Sequence, residues 1–158
     1  MLFKKISVVL FITLILFTSN MNFSYSLNPI TTNSTINIPV NPYIKELEII
    51  DNHMYILIKS IVSVDLNKKH KKNEIINQIK FIETSINNLT LKTSHLSKKD
   101  ADAILAMQSI LNYYKISIIQ LKSYLKDNDS DNLINSITSF SIGYNLSGSL
   151  RTVVNKIK

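Results

Sequence analysis

From Ser97 to Lys126, apolar side chains recur at Ile104, Met107, Leu111, Tyr114, Ile118, Leu121 and Leu125, in steps of 3-4-3-4-3-4. An α-helix turns once in about 3.6 residues, so this alternation puts all seven on one stripe. A stripe of that kind must be covered by other helices to be stable in water. Three further segments supply partners. Leu47, Ile50, Met54, Leu57, Ile61 and Val64 step 3-4-3-4-3, widened by Ile58 and Val62. Ile75, Ile79, Ile82, Ile86 and Leu89 step 4-3-4-3, with Leu96 in register beyond a Thr93-Ser94 pair where fraying is expected. The last segment opens with Leu133, Ile137, Phe140 and Tyr144, then changes phase to Leu146, Leu150, Val153 and Ile157. Isoleucine at both heptad core positions favours assemblies of more than two helices.

The pattern predicts an all-α protein with helices over about 42–66, 73–93, 97–126 and 130–157. Short connections make sequential helices antiparallel, an up-down-up-down four-helix bundle spanning 41–158. Local punctuation agrees. Asn41-Pro42 offers an N-cap followed by proline at the first helical position. Ser97-Lys98-Lys99-Asp100 resembles a capping box with Asp in place of Glu, flanked by Leu96 and Ala101 as a hydrophobic staple. Asp127 to Asn132 stops the third helix and caps the fourth. Gly143 and Gly148 fall inside the fourth, each costing ~1 kcal/mol of helix propensity. Ser139, Gly143 and Ser147 form a small-residue stripe, so close packing or a local bend is expected there. Two glycines and three prolines in 158 residues leave little turn chemistry for a β-sandwich.

The N-terminus follows a different rule. Lys4 and Lys5 precede an apolar run from Ile6 to Phe17, broken only by Ser7 and Thr13, and Ser24-Tyr25-Ser26 offers small residues for cleavage. Residues 1–26 read as a secretory signal, with a second cut available near Thr18 to Asn20. The run falls short of the ~20 residues that span a bilayer, and an uncleaved N-terminal anchor is the alternative. Residues 27–40, with Pro29 and Pro39, read as an extended polar lead-in. The expected address is secreted or cell-envelope.

Charge narrows the partners. Formal net charge is +7; removal of Lys4 and Lys5 with the signal lowers it to +5. All the basic residues but Arg151 are lysine. A nucleic-acid partner, which favours arginine clusters and exposed aromatics, is not expected. The chain has no cysteine, which removes disulfides, thiolate chemistry and an N-terminal lipidated cysteine.

The candidate sites are few. Lys68, Lys69, Lys71 and Lys72, around His70, form a basic connection that could dock anionic cell-surface polymer or lipid headgroups; the plainer reading is a solvated loop. In an up-down bundle this connection shares an end with Asp127, Asp129 and Asp131, which would partly neutralise it. Those three aspartates also match the first ligand positions of an EF-hand. However, Asn132 replaces the turn glycine and Thr138 the final glutamate, so only a weak cation site is expected, and helix capping is the simpler reading. His53, His70 and His95 lack ligand spacing. His53 beside Met54, with Met107, hardly makes a haem site, and no cofactor or metal is expected. Glu46 and Glu48 diverge on a helix, as do Asp100 and Asp102, and there is no phosphate loop or nucleophile elbow. Asn22, Asn33, Asn88 and Asn145 lie in N-x-S/T patterns that arise by chance in so Asn- and Ser-rich a chain. The third helix has an apolar arc wider than one stripe, adding Leu105, Ile110, Tyr113, Ile116 and Ile119 above a seam of Gln108, Asn112, Lys115, Lys122 and Lys126. Either two neighbours cover that arc, or part of it is left for another protein or a second copy. The sequence thus points to a non-catalytic bundle that works by binding or assembly. The alternative is a ligand-responsive module whose acidic end takes a cation or whose core takes a small apolar ligand, or a bundle held by an N-terminal membrane anchor.

Overall fold

The structure, a computed structural model, describes residues 41–63, 69–95 and 101–156. The segments read as a signal and a lead-in, Val64, Leu96, the Ser97–Asp100 capping box and Ile157 lie outside the described residues. Four helices follow in order: α1 Asn41–Ser63, α2 Lys69–Ser94, α3 Ala101–Asp127 and α4 Ser130–Lys156. No strand occurs among the described residues, and none of these helices is long and apolar enough to cross a membrane.

The packing closes a ring. Helix α1 lies against α2 and α4, and α3 lies against α2 and α4. All the stripe residues predicted for α2 and α3 are buried, as are those of α1 from Leu47 to Ile61. The wide arc of α3 is explained in part by its two neighbours: Ala103, Ile110 and Ser117 are buried in addition to the predicted stripe. Helices α3 and α4 make the most extensive of these contacts, because their interface is built from small side chains. The Ser117 and Ser136 hydroxyls share a buried hydrogen bond of 3.1 Å. Interaxial distance is set by side-chain size at the contact, so serine and glycine let the axes approach.

Three sequence expectations need correction. Helix α2 begins at Lys69, not near residue 73. Glu74 stabilises that added turn: it pairs with Lys71 at 3.2 Å and lies 3.3 Å from His70, both on its own helix face. The lysines from Lys69 onward therefore sit on a helix, not in a loop. Helix α2 also continues through Ser94 where fraying was expected. Thr93 is buried, and its hydroxyl donates to the Leu89 carbonyl at 2.9 Å.

The third correction concerns α4. There is no change of phase. The buried positions are Leu133, Ser136, Ile137, Phe140, Gly143, Ser147, Leu150 and Val154; apart from Ser136 they step 4-3-3-4-3-4 in a single register. Tyr144, Leu146 and Val153, expected in the core, are exposed. The apolar pattern misleads because two core positions hold small residues. An added Cβ at Gly143 would stand 2.6 Å from Tyr114 Cε1, so the ring of α3 occupies that space. Gly148 has nothing within 4 Å, and no close packing occurs there.

Candidate functional site

The α4 register has a counterpart in α1. Asp51 follows Leu47 by four residues and precedes Met54 by three, which places a carboxylate within the apolar stripe. It is 0% exposed. A buried carboxylate is costly unless it is paired and hydrogen-bonded. Asp51 has partners from two other helices. The Tyr114 hydroxyl of α3 donates to Oδ1 at 2.5 Å. The Ser147 hydroxyl of α4 donates to Oδ2 at 2.6 Å. The Arg151 guanidinium of α4 lies 3.3 Å from Oδ2 and reaches outward to Glu48 at 3.6 Å.

Each side chain is placed by its element. Ser147 and Arg151 are four apart on α4, so they project from one face towards α1. Tyr114 passes over Gly143 to reach the acid. Burial pushes the Asp51 carboxyl above the usual carboxylate range, against the hydrogen bonds from Ser147 and Tyr114 and the charge of Arg151. Burial, the charge of Asp51 and the hydrogen bond to it push the Tyr114 phenol upward too. Tyr114 therefore holds its proton and donates it in the hydrogen bond to Asp51. Perturbed groups in an open cleft mark catalytic sites, but Asp51 is sealed from solvent. The arrangement ties α1, α3 and α4 together at one point, and Phe140 and Tyr144 continue it towards Tyr55 at the rim.

Sequence reasoning missed this cluster, although two signals were present. Asp51 is an acid within an apolar stripe, and Arg151 is the only arginine in the chain.

The candidates picked from sequence fall in different places. Lys68 and the side chain of Lys69 lie outside the described residues. Lys71 pairs with Glu74, and Lys72 donates to the Leu125 carbonyl of α3 at 2.6 Å. That bond brings the start of α2 to the end of α3, close to the acidic turn, but Lys72 meets a carbonyl there and not an aspartate. In the turn itself, Asn128 takes φ 55° and its N–H donates to the Tyr124 carbonyl at 2.8 Å, closing α3. Asp129 N-caps α4 by accepting the Asp131 N–H at 3.0 Å. Asp127 accepts the Asp129 N–H at 2.9 Å and the Asn132 amide. Asn132, placed at the turning position by the EF-hand alignment, is inside α4, and residues 130–138 are helical. Asp127 and Asp129 thus hold the turn and cap α4 through their carboxylates, while Asp131 contributes its backbone N–H. Among the described residues no three His, Cys, Asp or Glu side chains group to hold a metal. His53 stands edge-on to Phe81 at 4.9 Å, while Met54 and Met107 are core residues.

The α3 flank divides. Ile110 is 0% exposed and belongs to the core, which corrects its assignment to an outer surface. Tyr113 is half-buried against Gly143. Leu105, Ile116 and Ile119 remain 60%, 45% and 59% exposed. Compared with known proteins, the chain matches no family model, no curated protein and no solved structure.

Proposed function

We propose that the chain is an exported, antiparallel up-down-up-down bundle, secreted or held at the cell envelope, that works without catalysis by binding or assembly. Export is read from the charged, apolar and small-residue segments of 1–26. Antiparallel order is supported by contacts that join the start of one helix to the end of another. Glu46 of α1 pairs with Lys92 of α2 at 2.9 Å, Lys72 of α2 meets Leu125 of α3, and Glu48 of α1 meets Arg151 of α4.

The observation that carries the binding reading is the row left on α3. Ile116 and Ile119 lie 11 and 14 residues from Leu105, close to whole numbers of helical turns, so the three share one outward face. Helix α4 has a row of its own in Ile142, Leu146 and Val153, all exposed. Single exposed apolar residues are ordinary, but rows on two helices that pack together are what an interface uses. A second copy of this chain is the partner we favour.

Two measurements test the reading. Cell fractionation with N-terminal sequencing should find a processed chain starting near Leu27 outside the cytoplasm. Sedimentation equilibrium should show concentration-dependent association. A chain that keeps residues 1–26 and stays in the cytoplasm would remove the export reading. A strict monomer at all concentrations would remove self-assembly.

A further inference from the structure

A cleft of about 480 Å³ opens on the surface between α2 and α3, away from the Asp51 cluster. Its floor is apolar: Ile79 and Leu125 are buried beneath it and Ile76 is half-buried at its edge. Its rim is basic. Lys72, Lys80, Lys122 and Lys126 line it against a single acid, Glu83. Two of the four lysines are already engaged, Lys72 with the Leu125 carbonyl at 2.6 Å and Lys122 with Glu83 at 2.5 Å. Lys80 and Lys126 are exposed and make no ion pair or side-chain hydrogen bond among the described residues.

The two uncommitted ammonium groups stand on facing helices across an apolar floor. Lysine side chains present methylene stems to apolar surface while their charges stay in water, so the walls are greasy below and cationic above. An ordinary soluble polyanion would use the charges and leave the floor unused. A neutral apolar molecule would leave the charges uncompensated.

We propose that the α2–α3 cleft binds a single-chain amphiphile with an anionic head, the chemistry shared by fatty acids and singly acylated lipid phosphates. The chain lies against Ile76 and the methylene stems of the lysines, with Ile79 and Leu125 beneath, and the head sits between Lys80 and Lys126. This site rests on the reading of the protein as a binder, but it shares no residue with the α3 outer row, so each can fail without the other.

The test is isothermal titration of the full chain with dodecyl phosphate below its micellar concentration. Inorganic phosphate and dodecyltrimethylammonium serve as the head-only and charge-reversed arms. Dodecyl phosphate should bind with one site per chain and both other arms should be weaker. The Lys80→Glu, Lys126→Glu double variant should lose about tenfold or more in affinity. Both positions are exposed, and far-UV circular dichroism checks that the helices persist. A second readout uses the unmodified chain: bound dodecyl phosphate should protect Lys80 and Lys126 from acetylation more than Lys45 and Lys59. Equal binding of the cationic amphiphile, no binding of dodecyl phosphate, or unprotected Lys80 and Lys126 would overturn the proposal. So would binding abolished by Ile116→Asn, Ile119→Asn but untouched at the cleft lysines. Sedimentation on the same samples reports separately whether assembly through α3 stands.

Discussion

Asp51 concentrates the chemistry of the interior into one side chain. Its carboxyl is raised by burial, and the sign of the resulting pH effect follows. Below the ordinary carboxylate value of 3.8, the acid is protonated in both folded and unfolded chains. As pH rises, the unfolded chain releases this proton first, so Asp51 lowers stability until the folded form ionises as well. Asp51→Asn removes that slope and keeps groups that can bond to Tyr114 and Ser147. The melting temperature of the wild type should therefore fall relative to Asp51→Asn as pH rises above the ordinary carboxylate value of 3.8. Parallel curves would refute a raised Asp51. Tyr114→Phe and Ser147→Ala should each cost about 1–3 kcal/mol in urea unfolding, because each leaves a carboxylate oxygen short of a partner. Because both act on the same carboxylate, their effects should not add.

The two glycines give a paired test at the same scale. Gly143→Ala must displace the Tyr114 ring and should destabilise by about 1–3 kcal/mol, despite alanine's better helix propensity. Gly148→Ala meets open space and should stabilise by up to about 1 kcal/mol. Equal effects would show that the α3–α4 contact is not set at Gly143.

At the scale of elements, much was legible. The 3-4 stripes located all four helices, and those of α2 and α3 lie in the core as read. The register of α4 was not legible, for a physical reason. Apolar periodicity marks core positions only where the core is filled from within the same helix. At Gly143 and Ser147 it is filled from outside, by Tyr114 and Asp51, so the pattern slid to Tyr144 and Leu146. The early start of α2 was hidden because a lysine run resembles a loop, and its Glu74 partner is recognised only once the turn exists. The Asp51 cluster needed three helices brought together and could not be assembled from one-dimensional spacing. The acidic turn was read as a cap, and the structure supplies the bond. Asp129→Ala should therefore cost α4 ~1 kcal/mol in thermal unfolding, whereas Asp131→Ala should cost less, since Asp131 contributes its backbone N–H to that bond. A larger loss at Asp131 would contradict the cap.

For the whole molecule, the interior and the surface divide the work. The interior joins an apolar stripe from each helix and one polar tie across α1, α3 and α4. The surface carries what packing leaves over: exposed rows on α3 and α4 and a lysine-rimmed cleft between α2 and α3. We propose that this outer surface, and not the sealed polar cluster, is where the protein acts. Sedimentation velocity on the wild type, Ile116→Asn, Ile119→Asn and Asp51→Asn chains, matched by circular dichroism, tests it most directly. The wild type and Asp51→Asn should associate alike, while the chain carrying both Ile116→Asn and Ile119→Asn keeps its helices and becomes monomeric. A wild-type chain that never associates, or an α3 variant that associates as strongly as the wild type, would contradict it.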